Sequence, residues 1–147
     1  MLLSPSRADC IVFELENVLA EMPPRTDDTE AQPAVKALYS GRWDKLPLPV
    51  AVLSSHDRET ANAALKTLGW DDLPASRLCL GENAMESACR SLSCHWPLVL
   101  GASPAAQEMA SRLEHADFVA IGHGLSGCII RFSSAADALR AILGLVS

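Results

Sequence analysis

The sequence predicts an α/β fold in which helices cover both faces of a doubly wound, mainly parallel sheet, giving three layers. Short apolar, strand-like runs alternate with helix-like segments along most of the chain, which is the pattern of such folds. The run at 50–54 is almost entirely apolar, as expected for a strand buried on both faces. A length of 147 residues fits one domain with a sizeable core, so we expect a single domain over residues 1–147.

The positions of these runs give the individual elements. Helices are expected between or after the strands, and the last one begins at Ser134, with Asp137 three residues later. This pair resembles a capping box with Asp in place of the usual Glu. The expected strands lie at 10–14, 50–54, 97–101, 117–121 and 128–132. The expected helices lie at 31–41, 57–69, 82–93, 103–115 and 134–145.

The segment at 21–32 differs in composition from the rest of the chain. It is polar and acidic, it contains Pro23 and Pro24, and Pro33 follows it directly. Proline and clustered polar residues favour loops over packed elements. We therefore expect residues 21–32 to form an exposed loop.

Composition excludes several classes of function. Hydrophobic residues make up 49% of the chain and charged residues 20%, which is typical of a globular domain. The net charge of -6 and the lack of a Lys/Arg cluster argue against a nucleic-acid partner. No apolar stretch approaches the ~20 residues that a membrane-spanning helix needs, and no signal peptide is visible at residues 1–7. We therefore expect neither a nucleic-acid nor a membrane partner.

The five cysteines give an expectation about the redox environment. Their number is odd and no Cys-x-x-Cys pair occurs. Cys10 and Cys128 lie in apolar, strand-like runs, so we interpret them as small buried residues. This pattern favours a reduced, cytoplasmic setting.

Polar side chains follow three of the expected strands. Glu14 and Glu16 stand at the end of the first strand, and the chain then turns at Asn17. Ser54 and Ser55 end the strand at 50–54, and Ser103 follows the strand at 97–101. The carboxyl ends of parallel strands meet at one edge, where such sheets place their crevice. We therefore expect the two glutamates and these serines to cluster.

Four segments in this order resemble the motifs of the haloacid dehalogenase (HAD) superfamily. Residues 10–19 are similar to its first motif, a hydrophobic strand followed by Asp-x-Asp-Gly-Val-Leu, and residues 50–55 to its second, a strand that ends in Ser or Thr. Residues 97–103 resemble the fourth motif, hydrophobic residues followed by Gly-Asp-Ser, and residues 116–122 resemble the strand after it. The resemblance implies a Rossmann-like hydrolase fold whose central strand, 10–14, lies between 50–54 and 97–101. It also implies that no cap domain is present, since only the loop at 21–32 stands where many relatives insert one.

The resemblance also implies which chemistry has been lost. In working relatives the first Asp attacks phosphorus, the second transfers a proton, a Ser or Thr and a Lys hold the phosphoryl oxygens, and further acids complete a Mg²⁺ site. Here Glu14 and Glu16 replace both aspartates, and Ala102 replaces a metal-binding one. No lysine follows Lys66, and Arg77 could replace the missing cation in charge only. The longer arm of Glu14 moves its carboxylate by about 1 Å or more, a shift that can cost ~10²-fold in rate.

Each candidate residue also has a plainer interpretation. Glu14 and Glu16 are either solvated acids at a strand end or vestigial catalytic residues that retain a metal or proton-transfer role. Ser54, Ser55 and Ser103 are either helix caps or phosphate- and anion-binding groups at helix N-termini. No metal site is expected, and if one exists, Glu14 and Glu16 would form it.

Three functions remain open from the sequence. The first is a non-catalytic, phosphatase-like pseudoenzyme that binds a protein or a small anionic ligand. The second is a divergent, metal-dependent phosphohydrolase that uses Glu14 or Glu16. The third is a structural module that forms a homodimer or a hetero-complex. No cofactor is expected for the first and third, whereas the second would need Mg²⁺.

Overall fold

One six-stranded sheet organises the chain. The computed structural model describes residues 8–22, 35–122, 124–125 and 130–143, and all neighbouring strands of this sheet pair in parallel. The strands in chain order are β1 (Cys10–Glu14), β2 (Ala20–Glu21), β3 (Lys36–Ala37), β4 (Val50–Ser54), β5 (Leu78–Leu80), β6 (Pro97–Gly101), β7 (Asp117–Ile121) and β8 (Arg131–Phe132). The helices are α1 (Arg58–Thr67), α2 (Ala84–Leu92), α3 (Pro104–Ser111) and α4 (Ala135–Leu143).

The strand order β5-β4-β1-β6-β7-β8 places β1 in the middle of the sheet. Val12 of β1 lies opposite Ala51 of β4 on one side and Val99 of β6 on the other. The chain therefore winds outwards in both directions from β1. The predicted fold class and the central position of strand 10–14 are both confirmed.

Helices cover both faces of the sheet because successive side chains of a strand point to opposite sides. Ile11 and Phe13 of β1 pack in one core cluster with residues of α1 and α4. Cys10 and Val12 pack in a second cluster with residues of α2 and α3. The result is the predicted three-layer, Rossmann-like arrangement.

Three helices, α1, α3 and α4, begin at capping side chains, whereas Asn83 at the start of α2 makes no side-chain cap hydrogen bond. Asp57 caps α1 by accepting a hydrogen bond from the backbone N–H of Thr60 at 2.7 Å. Ser103 caps α3 by accepting from Ala106 N at 3.2 Å, and the Oγ of Ser134 accepts from Asp137 N at 3.1 Å. Such caps satisfy N–H groups that the first turn of a helix leaves unpaired. The expected helices at 57–69, 82–93, 103–115 and 134–145 exist, although α1, α2 and α3 are shorter at both ends.

Two predicted segments need correction. The helix expected at 31–41 is absent at residues 35–41, of which 36–37 form β3 and pair in antiparallel register with β2. Its first residues, 31–34, lie outside the described part of the chain. In the loop expected at 21–32, Glu21 instead belongs to β2. Residues 23–32 of that loop lie outside the described part of the chain. Among the described residues between β1 and β4, the only strand pair is this small ribbon.

Two further differences concern strands. Strand β5 was not predicted, because three residues are too few for an apolar period to stand out. The strand expected at 128–132 is present at Arg131–Phe132, and residues 128–129 lie outside the described ranges. Within the described part of the chain, every helix is too short or too polar to span a lipid bilayer.

The cysteines pair in a way that the sequence analysis did not foresee. Cys10 is fully buried as expected, but it forms a disulfide with Cys94, which follows α2. The two residues are 84 positions apart in the sequence, so no local pattern connects them. This disulfide differs from what the predicted reduced setting would give for these two cysteines. Cys128 lies outside the described residues.

Candidate functional site at the carboxyl edge of the sheet

A crevice of about 700 Å³ opens where β1, β4, β5 and β6 end. Its lining combines acids, hydroxyl groups, apolar side chains and one arginine. It contains every site residue that the sequence predicted, namely Glu14, Glu16, Ser54, Ser55 and Ser103. The remaining lining residues are Asn17, Leu53, Gly81, Glu82, Ala84, Ala105, Glu108, Met109 and Arg112.

The carboxylate of Glu14 is bound by the segment between β6 and α3. Its Oε1 accepts from the backbone N–H of Ala102 at 2.7 Å, and its Oε2 accepts from the hydroxyl of Ser103 at 2.5 Å. Only 7% of Glu14 is exposed. Burial raises the pKa of Glu14 above its ordinary value and the neighbouring Glu16 adds to the rise, while the hydrogen bonds from Ser103 and Ala102 oppose it.

The carboxylate of Glu16 is bound by the segment between β4 and α1. Its Oε2 accepts from the hydroxyl of Ser54 at 2.7 Å. Its Oε1 accepts from the backbone N–H of Ser55 at 2.9 Å and from the Ser55 hydroxyl at 3.1 Å. The Nδ1 of His56 lies 3.4 Å from Oε2, so a protonated imidazole would add an ion pair. Every oxygen of the two glutamates thus accepts a hydrogen bond from the protein.

A tight turn after β1 aims Glu16 at these donors. The N–H groups of Leu19 and Ala20 both donate to the carbonyl of Leu15, at 3.2 and 3.0 Å. Asn17 takes a left-handed backbone conformation with φ of 65°, which asparagine tolerates better than most residues. This explains how the turn forms without glycine at position 17.

The serines therefore have roles that the sequence left open. Ser54 and Ser55 do not cap α1, because Asp57 does. Their donors bind Glu16 instead. Ser103 caps α3, as one interpretation predicted, and its hydroxyl also donates to the carboxylate of Glu14. Its role in binding phosphate or another anion stays a prediction.

The arrangement does not fit a magnesium ion. Mg²⁺ prefers an octahedral set of oxygen ligands that includes carboxylates. Position 102 offers only an alanine, and its N–H is directed at Glu14. Among the described residues, neither glutamate belongs to a group of three closely spaced metal-ligating side chains.

Arg77, the candidate replacement for the lysine that would bind phosphate, does not lie in the crevice. Arg77 precedes β5, at the opposite end of that strand from the crevice, and its guanidinium lies over the ring of Trp43 at 5.8 Å. Within the part of the chain that the structure describes, Arg112 is the one basic residue in the lining. It is paired with Glu108 at 2.7 Å.

Sequence reasoning missed the residues that flank the crevice. Gly81 and Glu82 follow the overlooked strand β5, so nothing marked them as lying at a strand end. Ala105, Glu108, Met109 and Arg112 lie on or directly after α3 at spacings of three and four residues, which place them on one face. That spacing was visible in the sequence, but it does not show that this face borders the crevice.

Comparison with protein-family models, with curated proteins and with solved structures finds no match for this chain.

Proposed function

We propose that this chain is a non-catalytic, HAD-like domain that acts by binding a basic segment of a partner protein in its crevice. The observation that carries the proposal is the pairing of Glu14 and Glu16 with the donors that a phosphate would need. Backbone N–H groups and hydroxyls at the ends of β4 and β6 already hold two carboxylates of the chain itself. The segments resembling the HAD motifs contain β1, β4, β6 and β7 in the same order, which supports the likeness.

Side-chain length explains why the site excludes phosphate. Each glutamate is one methylene longer than an aspartate, and each carboxylate reaches the loop after a neighbouring strand. A phosphate would have to displace these carboxylates and then lie beside them. Two like charges at close range in a partly buried site repel strongly, and the described lining contains no lysine to offset the repulsion.

The charge of the lining favours a cationic partner over the small anionic ligand that the sequence also allowed. The described lining carries one cation, Arg112, and four carboxylates: Glu14, Glu16, Glu82 and Glu108. Glu82 and Glu108 are exposed at the rim, where they can attract a partner during encounter. The partly exposed side chain of Met109 also lines the crevice and offers an apolar contact to the stem of a Lys or Arg.

The catalytic alternative is tested by measuring hydrolysis of p-nitrophenyl phosphate with Mg²⁺ or Mn²⁺. We expect the parent to be indistinguishable from Glu14→Gln and to give no metal-dependent rate. The restored variant Glu14→Asp, Glu16→Asp and Ala102→Asp retracts both carboxylates and adds a ligand, so any activity should arise in it first. Robust metal-dependent turnover by the parent, abolished by Glu14→Gln, would overturn the proposal.

The binding role is tested with an arginine-rich peptide and a glutamate-rich peptide of equal length, by fluorescence anisotropy. We expect only the basic peptide to bind, with affinity that falls as salt is raised. The double variant Glu82→Gln and Glu108→Gln should weaken binding by about tenfold, since two rim charges are lost. Glu114→Gln is the matched control, because Glu114 is exposed outside the crevice and should leave affinity unchanged.

Light scattering distinguishes the remaining alternative, a homodimerisation module. The binding proposal predicts that the parent stays monomeric at the concentrations of the peptide assay. Self-association that Glu82→Gln and Glu108→Gln abolish, without peptide binding by the parent, would assign the crevice to a dimer interface instead.

A further inference from the structure

A second cluster of reactive groups lies at the opposite, amino edge of the sheet. Cys10 begins β1, and Cys94 lies in the connection between α2 and β6. The disulfide between them adjoins Asp9, and the sulfur and carboxylate atoms of these three residues lie within 4.8 Å of one another. None of these residues lines the crevice.

Asp9 carries a charge that the backbone fixes in place. Its Oδ2 accepts from the N–H of His95 at 2.9 Å, and its Oδ1 accepts from the N–H of Trp96 at 2.8 Å. Although partial burial opposes ionisation, these hydrogen bonds lower the pKa of Asp9 below its ordinary value. The carboxylate is therefore ionised at neutral pH and cannot turn away from its neighbours without losing two hydrogen bonds.

The same carboxylate oxygen faces a sulfur atom. Oδ1 of Asp9 lies 2.9 Å from Sγ of Cys94. A disulfide sulfur has no hydrogen to donate, so in the oxidised protein this contact brings two acceptors together. A thiol at the same position would donate to the carboxylate, and a hydrogen bond to a charged acceptor is among the stronger kinds. The surroundings of Cys94 thus suit the reduced form better than the oxidised one.

The two cysteines differ in access to solvent. Cys10 is 0% exposed within the central strand, whereas Cys94 is only partly buried. The sulfur atoms of both cysteines are buried, but Cys94 lies in the connection between α2 and β6. A local opening of that connection exposes Cys94 to an incoming thiol, and Cys10 becomes the leaving group. Reduction need not open the fold, because other bonds hold the same segments together. Asp9 N donates to Trp96 O at 3.1 Å, and Cys10 pairs with Pro97 between β1 and β6.

We propose that Cys10 and Cys94 form a reversible redox couple that exchanges with dithiols at Cys94, and that Asp9 holds the reduced Cys94 thiol. A thiolate of the external dithiol attacks Sγ of Cys94, the disulfide breaks, and Cys10 leaves as a thiolate and takes up a proton. This step leaves a mixed disulfide between the reagent and Cys94. The second thiol of the reagent then attacks the reagent's own sulfur in that mixed disulfide and releases Cys94. The released Cys94 takes up a proton and donates a hydrogen bond to Asp9. The protein gains two electrons and two protons, and the dithiol becomes a disulfide.

The test is a redox titration of the intact protein in mixtures of reduced and oxidised dithiothreitol. Alkylation followed by peptide mass spectrometry reads the state of each cysteine separately, and circular dichroism reports the fold. We expect Cys10 and Cys94 to titrate together as a two-electron couple, reversibly, while the protein stays folded. A disulfide that resists reduction until the protein unfolds would overturn the proposal.

The variant Asp9→Asn tests the role of the carboxylate and keeps a side chain of the same size. It weakens the acceptor for the thiol, so the equilibrium should move towards the disulfide by about tenfold, or about 30 mV for two electrons. Glu86→Gln, on α2, is the control and should leave the equilibrium unchanged. No shift for Asp9→Asn would remove Asp9 from the couple. Tight Zn²⁺ binding by the reduced protein that blocks reoxidation would assign the three residues to a metal site instead.

Discussion

Glu14 and Glu16 reach different partners although only one residue separates them. Residue 14 ends the strand and points towards the loop after β6, while residue 16 follows Leu15 into the turn and points towards the loop after β4. Each carboxylate gains hydrogen bonds that offset part of the cost of leaving water. For Glu14 the offset is incomplete, because burial still raises its pKa.

The raised pKa of Glu14 predicts a stability change with a definite sign. A raised pKa means that the folded state binds the proton more tightly, so this contribution to stability is present below the unfolded pKa and is lost as pH rises through the folded pKa. Glu14→Gln removes the charge and keeps an acceptor for Ala102. We expect it to stabilise the protein at neutral pH by about 1 kcal/mol and to lose this advantage in acid.

Urea denaturation from pH 4 to pH 8 measures this difference. Glu114→Gln is the control, since its exposed carboxylate should change the free energy of unfolding by less than about 0.5 kcal/mol at any pH. A Glu14→Gln variant that is less stable than the parent at pH 8 would show that the hydrogen bonds to the charge outweigh its burial.

At the scale of the element, the segments that follow β4 and β6 share one arrangement. Each continues from a buried strand into a short polar loop and then a helix, and in each the donors after the strand bind a glutamate of β1 or of its turn. The capping groups differ, since α1 uses Asp57 and α3 uses Ser103. Because Ser103 also binds Glu14, the start of α3 is tied to the crevice more directly than the start of α1.

The cap of α1 can be removed without touching the crevice. Asp57→Ala leaves the N–H of Thr60 without its side-chain acceptor and should cost about 1 kcal/mol of unfolding free energy. Asp57→Ser keeps a capping oxygen and should recover most of that loss. Urea denaturation compares the three proteins. A loss of equal size in both variants would mean that Asp57 acts through something other than its capping oxygen.

At the scale of the whole molecule, the aromatic residues join distant segments on one face of the sheet. Trp70 is fully buried, its ring packs edge-on against Phe13 and Tyr39, and its Nε1 donates to the carbonyl of Gly41 at 2.9 Å. Phe13 belongs to the central strand, whereas Tyr39 and Gly41 lie between the small ribbon and β4. Trp70 thus fixes that connection to the core.

Replacing Trp70 tests this arrangement. Trp70→Ala creates a large cavity and leaves the Gly41 carbonyl without its donor, so we expect a loss of about 3–5 kcal/mol. Trp70→Phe keeps part of the ring and should lose less. Thermal unfolding followed by circular dichroism measures both. If Trp70→Ala lost less than about 1 kcal/mol, the connection would not depend on this side chain.

The sequence by itself determined the layers, the central strand and the edge at which the acids and serines meet. The layers and the edge follow from local apolar patterns and from the rule that parallel strands end at one edge, whereas the central position of strand 10–14 was implied by the resemblance to the HAD motifs. Only the tertiary structure decided which donor each glutamate binds, because Glu14 and Ser103 are 89 residues apart and Glu16 and Ser54 are 38 apart. Strand β5 was not predicted because three residues are too few to show an apolar period, whereas the Cys10–Cys94 bond and the acidic rim were hidden for the same reason as these hydrogen bonds. Both depend on side chains that meet only after the sheet has formed, and no period or spacing along the chain records that contact.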